Sequence, residues 1–419
     1  MGPATIAGGN RLKWADGGVS AMTQQTTEPG AERLLTAYSG RLSTLLAVGG
    51  FLAFLGRGAI PPLVPAIVAD LSITIPEAGV GLSVLWVAYA AAHYPGGRLS
   101  DGLTRKTLLL ASFGLMIGGF ALLSAVPTYL SFLVAVALVG VGQGLFMPAS
   151  RGLVADLFVR RRGQALGLQV GASSAGSALS AGVAVAALSV VTWQGAFLPT
   201  VVGLSAVAAL MHRWNREPYA LARVDLELSA TLARLFTARR MRLITGSYCL
   251  FALAWMGVIS FLPTFLHAAK GFSIATSSAA YALFYVAGTV ASPLAGRVAD
   301  RFSRMPAALG TVLVAAAGLT VCVATQRLPV VAAGVALFGV GLFGFPPVMQ
   351  SVVFEVAPDD NLAGDFGALK SVYTGVGALA PVYVGFVAER AGYTPAFGTF
   401  VLCLLACAVG IVAAARTPE

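Results

Sequence analysis

Apolar residues run along this chain in blocks, not in alternation. Twelve stretches, at about residues 42–69, 75–97, 107–126, 130–157, 164–190, 193–212, 243–267, 275–297, 306–325, 329–357, 364–388 and 394–415, are separated by shorter polar segments. Most reach the roughly 20 apolar residues with which an α-helix crosses a hydrocarbon core of about 30 Å. None shows the period-two alternation of a membrane β-strand. A helix that is apolar all round has no wet face, so its neighbours are lipid or other helices. The pattern predicts an all-α membrane protein of twelve transmembrane helices.

Two polar tracts interrupt this rhythm. Residues 1–40 lack the apolar core of a signal peptide and read as a disordered cytoplasmic tail, within which Met22 is a second candidate start. Residues 213–242 are polar and basic. Their apolar positions Leu226, Leu228, Leu232, Leu235 and Phe236 suit a cytoplasmic linker that is either a solvated connector or in part an interfacial amphipathic helix. The chain thus divides into a bundle at 41–212, the linker, and a bundle with a short tail at 243–419.

Composition agrees. The chain is 57% hydrophobic and 11% charged, against about 25% charged in soluble domains. The formal charge of +10 is set by topology. With the N-terminus inside, cytoplasmic segments hold 21 of the 27 Lys and Arg, whereas only Lys270, Arg327 and Arg390 fall in outer loops. That asymmetry is the positive-inside rule. It places both termini in the cytoplasm and argues against a nucleic-acid partner. The four cysteines, Cys249, Cys322, Cys403 and Cys407, all fall within spans without CxxC spacing or accompanying histidines, and read as apolar packers. No metal and no cofactor are implied.

The chain is also internally repeated. GRLSDGLTRK at 97–106 and GRVADRFSRM at 296–305 are 199 residues apart, and the same offset superimposes ALVGVGQGLFMP at 137–148 on ALFGVGLFGFPP at 336–347. Gly140 falls on Gly339, Gly142 on Gly341, and Asp156 on Glu355. Six helices occur twice. Parallel repeats of this kind are one architecture of alternating access, with substrate held near the midplane between the halves.

The repeated loop resembles motif A of the major facilitator superfamily, G-x-x-x-D-R-x-G-R-R, and the resemblance extends over about residues 41–415. Gly97, Asp101, Arg105 and Lys106 match in the first half, with Gly102 and Thr104 departing from the pattern. In the second half Gly296, Asp300, Arg301 and Arg304 match, with Ser303 and Met305 departing. Small Gly96 and Gly97 suit a close approach of helices 2 and 11, and Asp101 suits the positive end of a neighbouring helix. Arg105 is placed to pair with Asp156, and Arg304 with Glu355. The resemblance implies that these sets latch the cytoplasmic side shut in the outward-facing state. Their other reading is that they fix loop shape.

The resemblance further implies that helices 1, 4, 7 and 10 line a cavity, so polar residues in mid-span become candidates. Arg57 stands out in FLAFLGRGAIPPLVPAI, about 22 Å into helix 1 at 1.5 Å per residue. A centred arginine costs at least about 2.5–3.5 kcal/mol, which a wet cavity or an anion would offset. Its other reading places it near the outer end, if Pro61, Pro62 and Pro65 stop the helix early. Lys370 in helix 11 is a second intramembrane cation, or else it snorkels to the surface. Arg151 reads as structural, near the cytoplasmic end of helix 4. Gln143, Trp255, Gln350 and Tyr373 are further candidate lining residues. Two cations without an interior carboxylate favour a small anionic substrate, and arginine can bind a carboxylate with two parallel hydrogen bonds.

Helix 1 is similar to that of anion:cation symporters of organic acids. There an acidic residue precedes the arginine and a glutamate lies in helix 4, where Gly56 and Gln143 stand here. His93 is therefore the candidate for proton coupling, with proton or sodium as possible coupling ion. The alternative is an efflux pump, although GASSAGSALSAG of helix 5 lacks the Gly-Pro motif common in such exporters. An intramembrane enzyme or a receptor would need clustered ionisable residues or a soluble domain, and the sequence has neither. The expectation is a monomeric, non-enzymatic secondary transporter in a bacterial inner membrane.

Overall fold

The structure is a computed structural model that describes residues 37–190, 192–219, 236, 238–301, 303–356 and 362–417; within helices, the side chains at 101, 102, 300, 354–356 and 362–365 lie outside this description. Twelve helices among the described residues are long and apolar enough to cross a membrane. They are α1 Ala37–Asp70, α2 Ile75–Gly102, α3 Arg105–Leu123, α4 Tyr129–Leu157, α5 Arg162–Val190 and α6 Leu198–Trp214, the last preceded by a 3-10 turn at Trp193–Phe197. The second half holds α7 Arg239–Ala268, α8 Ile274–Arg301, α9 Arg304–Ala324, α10 Leu328–Val356, a two-piece α11 (Leu362–Gly377 and Ala380–Ala391) and α12 Tyr393–Arg416.

Helix boundaries follow capping chemistry. At the start of α2, Thr74 and Glu77 form a capping box: Thr74 N–H donates to Glu77 Oε2 at 2.7 Å and Glu77 N–H to Thr74 Oγ1 at 3.3 Å. Thr128 with Ser131 does the same for α4. The proline cluster of α1 does not stop the helix, which continues through Pro61, Pro62 and Pro65 to Asp70. Neighbouring helices bury this segment, Ile60, Leu63 and Val64 each being at most 2% exposed, and packed neighbours make intramembrane prolines tolerable. Arg57 is therefore mid-helix, and the early-stop reading of it is excluded.

The repeat reappears as packing. A methyl group on Gly140 would meet Leu85 O of α2, and one on Gly339 would meet Phe284 O of α8. Gly142 backs onto Ser112 O and Met116, as Gly341 backs onto Thr311 O and Ala315. Gly119 and Gly318 repeat the relation once more, against Ala135 O and Gly334 O. Each pair is offset by 199 residues, so both bundles are built on the same glycine-mediated contacts, where small residues let helix backbones close in. Outward, the bundles present apolar side chains: Val202, Leu402 and Val409 are all more than 60% exposed, a surface that lipid covers.

The linker begins as an anchored strap. Lys106 Nζ donates to Asn215 O at 2.8 Å and its backbone N–H to Glu217 Oε2 at 2.9 Å, with its ammonium 4.7 Å from the Tyr219 ring. Residues 215–219 are thereby pinned to the start of α3; the amphipathic-helix reading of the linker concerns residues outside the description, apart from Phe236.

The halves meet through α2 with α11, α5 with α8 and α1 with α7. On the side assigned as outer by charge, this contact is tight. A methyl group on Gly79 would lie 2.5 Å from Pro381 O, and one on Gly385 would lie 2.9 Å from both Ile75 O and Pro76 Cα. The break in α11 frees backbone N–H groups, and Val382 N–H donates to Ser83 Oγ of α2 at 3.0 Å. Gly96, by contrast, packs on Gly144, Leu145 and Pro148 of α4, while Gly97 and Gly296 face open space. The close approach of α2 and α11 expected at Gly97 occurs instead at Gly79 and Gly385, at the opposite end of α2. The halves are closed together at this end.

Candidate functional site

A cavity of about 210 Å³ lies between the halves, lined from α1 by Leu46, Gly50, Phe54 and Arg57. Its α4 wall is Phe146, Met147, Ser150 and Arg151; its α5 wall is Gln169, Val170, Ser173, Ser174 and Ser177; Ile259, Tyr285 and Phe343 complete it from the second half. Arg57 marks its outer end. Beyond it only about 20 Å³ remains, among Leu82, Trp86, Ser260, Tyr281 and Tyr285, about the space of one water molecule. Tyr281 donates to Ile259 O at 3.2 Å and its hydroxyl pairs with that of Tyr285 at 3.3 Å, holding this plug together. The cavity leads from Arg57 toward Arg151 and the end that charge assigns to the cytoplasm.

Two aromatic faces hold Arg57. Its guanidinium carbon lies 4.5 Å from the Phe54 ring centroid and 4.7 Å from that of Trp86. Each desolvated cation–π contact is worth roughly 1–2 kcal/mol, so the pair offsets much of the roughly 2.5–3.5 kcal/mol that a centred arginine costs. Rings accept none of the five guanidinium N–H donors as a carboxylate would. Among the described residues no hydrogen bond or ion pair engages Arg57. The side chain is stabilised as a cation and left open as a donor.

The other expected residues are distributed unevenly around this cavity. Gln143 is 1% exposed, and its Nε2 donates to Ala53 O of α1 at 2.6 Å; it ties α4 to α1 and is not among the lining residues. Tyr373 is stacked on Tyr248 at 4.7 Å, and Trp255 packs on Phe251 and on the lining residue Phe343 at 5.2 Å. Trp255 thus supports the wall through Phe343, and Tyr373 is not among the lining residues. Gln350 and Lys370 also fall outside the lining, with Lys370 in electrostatic reach of both Arg57 and Arg151. His93 lies tilted against Tyr89 at 5.3 Å and bonds the Gly144 backbone, its Nδ1 buried without a partner, in reach of Lys370 and Arg151.

Arg151 is the lining residue that the sequence pattern did not bring forward. It lies near the end of α4, as expected, and it also lines the cavity. Two signals pointed to it: Gln143, Met147 and Arg151 share a face of α4 at i, i+4 and i+8, and the 199-residue offset lays Arg151 on Gln350. The polar α5 stripe of Gln169, Ser173 and Ser177 follows the same spacing and was likewise hidden in a run of small residues.

At the cytoplasmic loops, Arg105 Nε donates to Asp156 Oδ2 at 3.1 Å, and its Nη1 also bonds Ser100 through the carbonyl and hydroxyl. Both partners belong to the first bundle, so this pair does not itself cross between the halves. It is formed here while the outer side is closed. Arg304 Nη1 donates to Ser351 O at 3.3 Å. The side chains of Asp101, Asp300 and Glu355 lie outside the described residues.

The profile of the family described as Major Facilitator Superfamily matches residues 46–381, and again residues 244–419, the second match in keeping with an internal repeat. The chain belongs to the Major Facilitator Superfamily. It is a secondary transporter and an integral membrane protein, not an enzyme. Among its relatives, a probable sulfoacetate transporter of Cupriavidus necator is 26% identical over 82% of this chain and 85% of its own. A probable sugar efflux transporter of Helicobacter pylori is 26% identical over 79% and 88%, and a probable L-galactonate transporter of Escherichia coli is 24% identical over 82% of each. Of solved structures, a bacterial homologue of the human lysosomal transporter Spinster, inward-facing and occupied, superimposes with a TM-score of 0.76 over 91% of this chain and 98% of that one at 14% identity. The nucleoside transporter NupG gives 0.75 over 89% and 99%, also at 14% identity. These likenesses establish the fold.

Proposed function

We propose that this superfamily member carries a small organic anion of carboxylate type by rocking-bundle alternating access, with Arg57 as the principal anchor. The observation that carries the reading is the guanidinium held by Phe54 and Trp86 at the closed end of the cavity, with its N–H donors unengaged among the described residues. Cavity size supports it. About 210 Å³ falls below the roughly 300–1,000 Å³ of pockets for drug-sized ligands, which disfavours multidrug efflux. Sulfoacetate and L-galactonate, in the names of two relatives, are both acid anions. The sugar efflux relative keeps metabolite export as the second reading.

In this reading the closed outer contact and the cytoplasm-directed cavity are the inward-facing state of a monomer in a bacterial cytoplasmic membrane, with both termini inside. The motif A groups around Gly97, Asp101, Arg105 and Asp156, with Gly296, Asp300, Arg304 and Glu355, shape the cytoplasmic ends that close in the opposite state. His93 is the proposed proton-coupling group, with sodium the other coupling ion.

The test is uptake into proteoliposomes across a panel of radiolabelled organic acids and cationic drugs. Arg57→Lys retains charge but not the planar fork, and is expected to lower transport of the preferred acid at least about tenfold, with Arg57→Ala inactive. Wild-type flux in both variants, or flux of cationic drugs alone, would overturn the anion reading.

A further inference from the structure

The cavity carries more positive charge than a single carboxylate answers. Arg57 and Arg151 line the same space. Their helices run in opposite directions, and side chains lean toward the N-terminus of their own helix. Arg57, on outward-running α1, leans toward the cytoplasm; Arg151, on inward-running α4, leans outward. Their backbone positions are about 18 Å apart along the bundle, counting four residues from Ala53 to Arg57 and eight from Gln143 to Arg151 at 1.5 Å each from the Gln143–Ala53 bond. Both side chains shorten that gap.

Around Arg151 the donors accumulate. Gln169 is 8% exposed and lines the cavity, and its Nε2 is buried with no partner. Lys370, in electrostatic reach of both arginines, has neither a hydrogen bond nor an ion pair among the described residues. Gln169 and Lys370 are pseudo-symmetry mates at an offset of 201, so each half contributes one donor at the same depth. No Asp or Glu is among the lining residues. A buried donor without an acceptor costs about 1–3 kcal/mol, and an uncompensated intramembrane cation costs at least as much. A ligand that brings acceptors removes both penalties.

We infer that Arg151, Gln169 and Lys370 form a second anion subsite, at the cytoplasmic end of the cavity, so that the transported molecule is a small organic dianion. Its first anionic group binds Arg57 and its second meets Arg151 and Gln169, which line the cavity, with Lys370 adding positive charge within electrostatic reach. The inference rests on the anion reading proposed above, with Arg57 as the anchor of the first group. Arg151 and Lys370 then set specificity by charge number, and Ser173 and Ser174 offer neutral contacts between the two ends.

The experiment uses the full chain in lipid nanodiscs and measures binding of α,ω-dicarboxylates of two to six carbons against their monoamides, which keep length and remove one charge. At the best chain length the dianion is expected to bind at least about tenfold more tightly than its monoamide. Arg151→Gln and Lys370→Gln are expected to erase that preference by weakening the dianion alone. Arg151→Lys restores part of it and checks that the fold is intact, whereas Arg57→Lys weakens dianion and monoamide together. Equal binding of dianion and monoamide by the wild type overturns the second subsite and leaves the Arg57 reading standing. So does a loss that falls equally on both ligands, which marks general attraction of anions to the mouth, or monoamide binding that needs added chloride or phosphate, which marks a free inorganic ion in the subsite. Failure of the wild type to bind any member of either series overturns the anion reading itself.

Discussion

Trp86 of the first bundle donates a hydrogen bond from its indole Nε1 to Ser260 Oγ of the second at 3.3 Å. The opposite relation of the same ring is to Arg57, whose guanidinium carbon lies 4.7 Å from its centroid. One side chain therefore touches both the candidate anchor and the closed outer contact. Trp86→Phe retains an aromatic face and removes the interbundle bond. A hydrogen bond of this kind is worth about 0.5–1.5 kcal/mol, so the balance of states is expected to move several-fold toward outer opening. Labelling of a cysteine introduced at Leu82, beside the small space beyond Arg57, measures it; unchanged labelling argues against the coupling.

At Gly79 and Gly385 the backbones of α2 and α11 leave no room for a side chain. Gly79→Val places a branched side chain against the Pro381 carbonyl, which is backbone and cannot turn aside. The variant is expected to fold, to favour the outward-open state and to lose most net flux. Fluorescence quenching between probes on the outer ends of α2 and α11 reports the separation, and a wild-type distance with wild-type flux contradicts the wedge.

Gln143 is a packing residue in this structure. Gln143→Ala removes its bond to Ala53 O, while that carbonyl keeps its intrahelical partner within α1, for a loss of about 0.5–1.5 kcal/mol. The thermal midpoint in detergent is expected to fall by several degrees while the affinity of the surviving fold for its anion stays within about twofold. A tenfold affinity loss without a change in midpoint would instead make Gln143 a binding residue.

The Arg105–Asp156 pair spans the cytoplasmic ends of α3 and α4, with Arg105 19% and Asp156 58% exposed. Exposed pairs contribute about 0–1 kcal/mol, so Asp156→Asn is expected to change stability little. If the pair shapes the cytoplasmic gate, the same variant lowers exchange rates several-fold at unchanged affinity. Normal exchange confines the pair to loop structure.

His93 faces Tyr89 and carries a buried nitrogen without a partner. His93→Gln keeps hydrogen-bonding capacity but cannot take up a proton near neutrality. It is expected to abolish stimulation of uptake by an imposed pH gradient while counterflow persists. A gradient response equal to that of the wild type assigns coupling elsewhere.

The architecture was legible because lipid imposes it. Every backbone group inside a bilayer must be satisfied within its own segment, so block length alone predicted spans that the helices match within a few residues, apart from the break that divides α11. The duplicated motifs were legible for a related reason: Gly140 with Gly339 and Gly142 with Gly341 are small wherever the same helix contact is built twice. Side-chain direction was not legible to the same degree. Gln143 and Arg151 share one face of α4, yet the first turns its amide to Ala53 and the second opens into the cavity.

The sequence by itself determined the number of helices, their order and their repetition, since each depends on local apolarity or on residues close together in the chain. It also determined that Arg57 is a cation inside the membrane. Only the tertiary structure decided what that cation meets. The rings of Phe54 and Trp86 hold it, the contact at Gly79 and Gly385 closes over it, and the α5 polar stripe, with Lys370 in electrostatic reach, accompanies Arg151 at the other end of the same cavity. These neighbours come from four different helices of two bundles. Their meeting depends on how the halves are docked, which no local pattern of the chain encodes.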